Sequence, residues 1–348
     1  MPRYRILHIS DLHIASPGNR ASLKKIIAYL IKNNHEIIAK QIGNIHKVIA
    51  KLIKILYEIY DKDALMALTS TMHDLRECYD AILISGDIAN TGTPEDIDYA
   101  LTLFQKDHIR YMDECLPITY SFDKLDKDIV LVPGNHDRLS NTNGTAFDHY
   151  FKGYWNNTEK VNARLLENAD IKLAIICADF SLNSYNPLTI GNGRVHDDVL
   201  NKLVEKTLEL SSDGIASLWM IHFAPNCEHP AYLGTRQGIP LKLVDYKKLT
   251  DAAAKANIKH IFCGHTHKSK EYTEATDYGD VKIYCAGTST CITKGDILRA
   301  KCKPIIHLRN ISINNHQIDE IQSEDILWYD KEKRFVYDKN KVEINWKQ

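Results

Sequence analysis

The chain of 348 residues lacks a long hydrophobic run: no 18-residue apolar stretch free of charge occurs in it, which excludes a membrane-spanning helix of ordinary length. It also lacks a CxxC pair. Its 8 cysteines are scattered at 78, 115, 177, 227, 263, 285, 291 and 302, so neither a zinc ribbon nor a disulfide framework is expected. Residues 1–10 hold no apolar stretch of signal-peptide length ahead of the first aspartate, and a soluble, cytoplasmic protein is the expectation. Sequons at Asn143, Asn157 and Asn310 carry no weight without export. Charge of one sign is missing too: 44 Lys and Arg against 45 Asp and Glu leave a net charge of -1, so no whole-protein field recruits nucleic acid or an anionic membrane. What is present is the balance of a folded globular protein, with 44% apolar and 26% charged residues. Tryptophan is scarce at 4, whereas histidine reaches 16, a number compatible with metal or acid–base chemistry or with simple surface use.

Seven short apolar runs of strand character lie at 4–9, 81–84, 129–132, 173–177, 217–221, 259–263 and 281–285. Helical stretches separate them, which is the alternation of an α/β protein. Thr93-Pro94-Glu95-Asp96 supplies a cap and an N-terminal proline for a helix predicted to reach about Cys115. Asp245 is expected to cap a helix running to about Ala256. Beyond Lys303 the pattern turns to strands, at 305–313 and in a hairpin across 326–329 and 334–344. Between residues 19 and 60, Ile38, Ile42, Ile45, Ile49, Leu52, Leu56 and Ile59 recur at alternating spacings of 4 and 3, which predicts a long amphipathic helix. Asn33-Asn34 separates it from an earlier helix over 23–31. Arg20 and lysines 24, 25, 32, 40, 47, 51 and 54 face only Glu36 and Glu58, so the segment is basic. It is expected to pack as a helical hairpin on its own domain; a homodimer contact and a surface attracting phosphate-rich ligands are the alternatives.

Five of the seven runs end directly in a polar cluster: Asp11-Leu12-His13, Gly86-Asp87-Ile88-Ala89-Asn90, Gly134-Asn135-His136-Asp137, His222-Phe223-Ala224-Pro225 and Gly264-His265-Thr266-His267. Sites in α/β sheets assemble at the carboxyl ends of strands, where loops converge on a crevice. Any one cluster alone reads as a turn. Together they form a set of Asp, Asn and His donors suited to divalent manganese, iron, zinc or cobalt, and a carboxylate can bridge two such ions. With no cysteine among them, a structural zinc is not expected.

The ordered set D-x-H, G-D, G-N-H-D, H and G-H-x-H resembles the calcineurin-like metallophosphoesterase superfamily. The D-L-H, G-N-H-D-R and H-F-A-P forms most resemble its class III cyclic nucleotide phosphodiesterase branch. The resemblance covers about residues 3–22 and 62–313. It implies a four-layer αββα sandwich: a catalytic domain over 1–324, with a helical insertion at about 20–60 after the first strand, and a C-terminal β-hairpin extension over 325–348. The insertion is longer than the branch usually has there, and the tail has no counterpart. The resemblance further implies two divalent metal ions, with Asp11, His13 and His267 on the first, Asn135, His222 and His265 on the second, and Asp87 bridging them. A hydroxide held between the ions would attack a phosphoester, an arrangement that needs no protein nucleophile. His136 would lie over the phosphate, stabilising charge and protonating the leaving oxygen. Asp137 would orient His136, Asn90 would support the site, and Arg138 would contact phosphate or serve the surface. The expected substrate is a phosphodiester such as a 3',5'-cyclic nucleotide. A nuclease of the same superfamily is the alternative, favoured by the basic segment and disfavoured by the neutral overall charge. A non-catalytic scaffold would show eroded ligands, and all seven positions are filled.

Overall fold

A computed structural model describes residues 3–18, 60–106, 108–111, 114–117, 121–138, 145–155, 160–168, 171–181, 191–226, 242–292 and 303–337. In chain order its elements are β1 (Arg3–Ile9), α1 (Lys62–Asp74), β2 (Ala81–Ile84), α2 (Pro94–Gln105), β3 (His108–Tyr111), β4 (Glu114–Pro117), β5 (Asp128–Leu131), α3 (Thr145–Tyr150), β6 (Val161–Glu167), β7 (Lys172–Ala178), β8 (Gly193–Arg194), α4 (Asp197–Ser212), β9 (Ala216–Ile221), β10 (Leu243–Val244), α5 (Tyr246–Lys255), β11 (His260–Cys263), β12 (Ser269–Thr276), β13 (Gly279–Ala286), β14 (Ile305–Asn314), β15 (Gln317–Tyr329) and β16 (Arg334–Tyr337). All seven apolar runs are strands, and they form the parallel parts of two six-stranded sheets, ordered β16-β15-β14-β1-β2-β5 and β12-β13-β11-β9-β7-β6. Pairing is parallel among β1, β2 and β5, and among β7, β9, β11 and β13. Antiparallel strands flank the second parallel block on both sides, whereas in the first sheet they adjoin it only at β1 and leave β5 at the edge.

Alternation within the runs sets the layers. On β7, Leu173, Ile175 and Cys177 face the core between the sheets, whereas Ala174, Ile176 and Ala178 join a second core. β9 does the same with Leu218 and Met220 on one side and Trp219 and Ile221 on the other. Successive side chains of a strand point to opposite faces, so a run apolar at every position is a strand covered on both. Leu203 of α4 and Leu249 and Ala253 of α5 cover the outer face of the second sheet. Leu65 and Leu68 of α1, Ile97 and Phe104 of α2 and Phe147 of α3 belong to the first core. The order helix, sheet, sheet, helix is the four-layer α/β sandwich.

Two local expectations are corrected. The helix begun at Pro94, with Thr93 accepting from the Asp96 N–H, ends at Gln105 rather than near Cys115. Its buried stripe stops at Phe104, Lys106 is extended, and β3 pairs with β4 across 108–117. Asp245 precedes α5 but makes no side-chain cap bond, because its left-handed backbone (φ 63°) replaces the extended geometry that such a cap uses. The C-terminal hairpin is present as β15 and β16, and β15 runs unbroken through position 325. The expected helices at 23–31 and 38–59, and residues 338–348, lie outside the described residues. Among the described residues no helix is long and apolar enough to cross a membrane.

Polar contacts also tie the two sheets together. Arg309 on β14 ion-pairs with Glu271 on β12, and His307 Nε2 lies 2.8 Å from the Ala286 carbonyl. His8 on β1 stacks on Phe262 of β11, ring centroids 5.0 Å apart, with Nε2 2.9 Å from Ser85 Oγ. Burial, and then the charges of Arg309 and His307, hold the His8 imidazole well below its ordinary range. His8 is therefore neutral in the fold but takes up a proton in the unfolded chain once pH falls below about 6.5. Its contribution to stability is present above that pH and lost beneath it. Urea midpoints measured from pH 8 to pH 5 should fall less steeply for His8→Gln than for the wild type.

Candidate metal centre

Register brings the strand exits together. Ile9 pairs with Ile84, and Ile84 with Leu131, so β1, β2 and β5 end side by side. Past the strands the pairing continues through the loops, with the Asp11 N–H donating to the Gly86 carbonyl (3.0 Å) and the His13 N–H to that of Asp87 (2.9 Å). Gly264 N–H donates to the His222 carbonyl (2.9 Å), which joins the exits of β9 and β11. Five of the seven candidate ligands turn sharply here, with positive φ at Asp11 (52°), His13 (48°), Asp87 (52°), His265 (74°) and His267 (55°). Such backbone costs roughly 1–2 kcal/mol per residue in an L-amino acid, and strain of this kind concentrates at functional sites. Two glycines make the approach feasible. A Cβ on Gly264 would lie 1.9 Å from Ser10 Oγ and 2.7 Å from Asp11 Oδ2. Gly86 has φ 97°, and a Cβ there would lie 2.4 Å from His222 Nδ1.

The donors fall into two groups that share one carboxylate. Asp11, His13, Asp87 and His267 each offer an atom within 4.8 Å of the others, and Asp87, His222 and His265 do likewise. In the first group His13 Nε2 lies 2.9 Å from His267 Nε2, and Asp11 Oδ1 lies 3.4 Å from His267 Nε2. In the second, His222 Nε2 is 3.2 Å from Asp87 Oδ2 and 3.1 Å from Asn135 Oδ1. His265 Nδ1 is 3.2 Å from the same His222 nitrogen. Asn135 thus joins the second group, and all seven sequence-predicted ligands come together.

Their chemistry fits divalent ions. Asp11 Oδ1 is buried with no hydrogen-bond partner among the described residues, and two imidazole nitrogens 2.9 Å apart turn toward each other. Nitrogen and oxygen donors grouped this way, without thiolate, suit borderline metals. The electrostatics call for positive charge. Burial alone would raise Asp87, but His222, His136 and His13 around it hold its carboxyl well below the usual range. Burial likewise opposes a charged His222, yet Asp87 outweighs it and holds that imidazole up at about 9. His13 is driven the other way, by burial and by His136 and His267.

Surrounding bonds orient these groups. His222 Nδ1–H donates to the Ser85 carbonyl (2.7 Å), turning Nε2 to the site. His265 N–H donates to Asp11 Oδ2 (3.0 Å) and His136 N–H to Asp87 Oδ1 (2.8 Å). His136 Nδ1–H donates to the Asn90 carbonyl (2.7 Å), which is how Asn90 supports the site. Two expectations differ from this geometry. Asp137, expected to orient His136, accepts instead from the N–H groups of Gly134, Ala89 and Ile88 (2.8, 2.8 and 3.2 Å), tying two loops together. Burial and the nearby Asp87 push it up to about 7, against those three bonds. Arg138 is engaged by Asp179 (2.8 Å) and Asp148 (2.8 Å) in a nearly buried ion pair, so its guanidinium is committed to carboxylates rather than offered to phosphate. The remaining two strand ends supply no donor expected from the sequence, although each is followed by polar residues. Asp179 follows β7. Thr288 and Thr290, past β13, donate to the carbonyls of Asp11 (2.8 Å) and Leu12 (2.6 Å).

A family model for calcineurin-like phosphoesterases matches residues 4–269. No curated protein matched the sequence. Similar solved structures include GAP50, the anchor in the inner membrane complex of Plasmodium (12% identity, 97% of this chain and 88% of that one, TM-score 0.47). The Thermus thermophilus sulfate thiohydrolase SoxB is another (12%, 97% and 57%, TM-score 0.46), and this chain spans little more than half its length. A third is a Vps29 single mutant from Entamoeba histolytica (11%, 94% and 93%, TM-score 0.32).

Two outcomes test this geometry. Asp87→Asn keeps the shape but removes the shared charge, and elemental analysis of manganese-loaded protein should show it losing metal from both groups of donors. Arg138→Leu strands two carboxylates in a buried setting, and urea denaturation should register a loss of about 3–5 kcal/mol.

Proposed function

The chain belongs to the calcineurin-like phosphoesterase family, and on that footing we propose that it hydrolyses a phosphodiester such as a 3',5'-cyclic nucleotide, in the manner of the class III cyclic nucleotide phosphodiesterases. The observation that carries this reading is the pair of donor groups sharing Asp87. Asp11, His13 and His267 would hold one divalent ion, Asn135, His222 and His265 a second, and Asp87 both. Bound there, such ions supply Lewis-acid charge for phosphoryl oxygens and lower the pKa of water toward neutrality.

The chain's own residues do the rest. His136 is fixed by its Nδ1–H bond to the Asn90 carbonyl and stands edge-on to His13, ring centroids 4.5 Å apart. That leaves Nε2 as the atom which, when protonated, gives a proton to the leaving oxygen; the Asn90 carbonyl accepts from Nδ1 in either charge state. Asp137 acts by position, keeping the loop that carries Asn135 and His136 against the loop that carries Asp87. The reading places the enzyme in the cytoplasm and leaves the basic segment at 20–60 as the candidate homodimer contact. Hydrolysis of nucleic acid is a second reading, and a lysine-lined groove beside His267 favours it.

Asn135→Ala and His265→Ala remove metal donors rather than core, so turnover of a cyclic nucleotide with manganese should be abolished while circular dichroism and the melting temperature stay near wild type. Full activity in either variant would sink the assignment.

A further inference from the structure

A groove with a volume of about 890 Å³ opens beside the candidate metal centre, and His267 belongs to its lining. Its walls carry Lys268 and Lys270 at the start of β12, Lys303 ahead of β14, and Tyr329 and Lys331 where β15 turns into β16. None of these four lysines forms an ion pair among the described residues. The two carboxylates of the lining are already engaged: Asp330 accepts from Trp328 Nε1–H (2.8 Å) and Glu332 pairs with Arg334 (2.8 Å). Trp328 leaves the Asp330 charge in place, so the lining carries four lysines against two carboxylates, one of them paired with Arg334, and the groove is net positive. Tyr329 is 46% exposed, and among the described residues only Leu208 and Tyr278 are large hydrophobic side chains more open than it.

Uncommitted ammonium groups beside an exposed aromatic ring are what sequence-tolerant binding of single-stranded nucleic acid uses, the cations tracking phosphates and the ring taking a base. A duplex would keep its base faces stacked and out of reach of Tyr329. The volume lies at the upper end of the roughly 300–1,000 Å³ typical of ligand clefts, more than one phosphate group needs. We propose that this groove holds the strand flanking the scissile phosphodiester, making a single-stranded oligonucleotide, rather than a lone cyclic nucleotide, the preferred substrate. The proposal rests on the reading of the metal centre as a phosphodiesterase. Hydrolysis adds water across one P–O bond, leaving a phosphomonoester on one fragment and a hydroxyl on the other. Lys268 and Lys270 follow His267 in the chain and line the same groove with it.

The test uses the full chain loaded with manganese. Binding is read by fluorescence anisotropy with a labelled phosphorothioate oligothymidylate that resists cleavage. Catalysis is read as kcat/KM for an unmodified oligothymidylate relative to that for bis(p-nitrophenyl) phosphate. Tyr329→Ala should weaken binding about ten-fold and lower the kcat/KM ratio to match. Replacing both Lys268 and Lys270 by alanine should reduce the slope of log affinity against log salt by about 0.7 for each phosphate that is no longer neutralised. Wild-type affinity, salt slope and ratio in these variants would overturn the proposal. So would an inorganic polyphosphate that binds as tightly as the strand and is indifferent to Tyr329→Ala, because charge alone would then explain the groove. Tyr329-dependent binding without hydrolysis of either substrate would uphold the groove and refute the phosphodiesterase reading.

Discussion

A buried carboxylate is unfavourable unless its charge is answered, and Asp87 is buried where the strand ends of both sheets meet. One of its oxygens takes the His136 N–H, and the other faces His222 and His13. Because it belongs to both donor groups, its position couples them: a shift of the loop after β2 would move the donor that the two hold in common. Much of the neighbouring structure makes sense as a frame for that loop. Asp137 clamps it through the Ile88 and Ala89 N–H groups, and the His13 N–H donates to the Asp87 carbonyl.

The frame extends outward by further buried polar contacts. Thr288 and Thr290 hold the carbonyls of Asp11 and Leu12, so the strand exit that supplies no metal donor still sets the β1 loop. Arg138 leaves the loop carrying Asn135 and His136 and ties it to Asp179 after β7 and to Asp148 on α3. Bonds of this outer kind typically govern metal affinity by 10–100-fold without touching the ion. Farther off, Arg309 with Glu271 and His8 on Phe262 pin one sheet to the other, which matters because donors from both sheets must meet.

The groove beside His267 gives this arrangement a direction. A metal centre by itself accepts almost any phosphoester that reaches it, and selection then falls to the walls around it. Here those walls come from the start of β12 and from the turn between β15 and β16. The C-terminal strands, which look like an addition to the sequence, therefore supply part of the surface that a substrate would meet.

Much of this was legible in the sequence, because period-two burial is a local property. Runs such as 173–177, apolar at each position, could be strands covered on both faces, and the polar clusters after five of them announced a shared edge. The seven candidate ligands were visible for the same reason: each lies one to four residues past the end of a strand. Roles that depend on distant partners were not legible. Arg138 reads as a phosphate contact until Asp179, 41 positions away, is seen beside it, and Asp137 reads as a companion to His136 until its oxygens are found on backbone N–H groups of another loop. The helix after Thr93 has a sequence-encoded start, yet its end came where the buried stripe ran out at Phe104. Residue type and local spacing determined which groups could bind metal. Only the packing of the two sheets decided which of the remaining charges face the site and which are neutralised beneath it, since ion pairing inside a protein depends on distance through space and not along the chain.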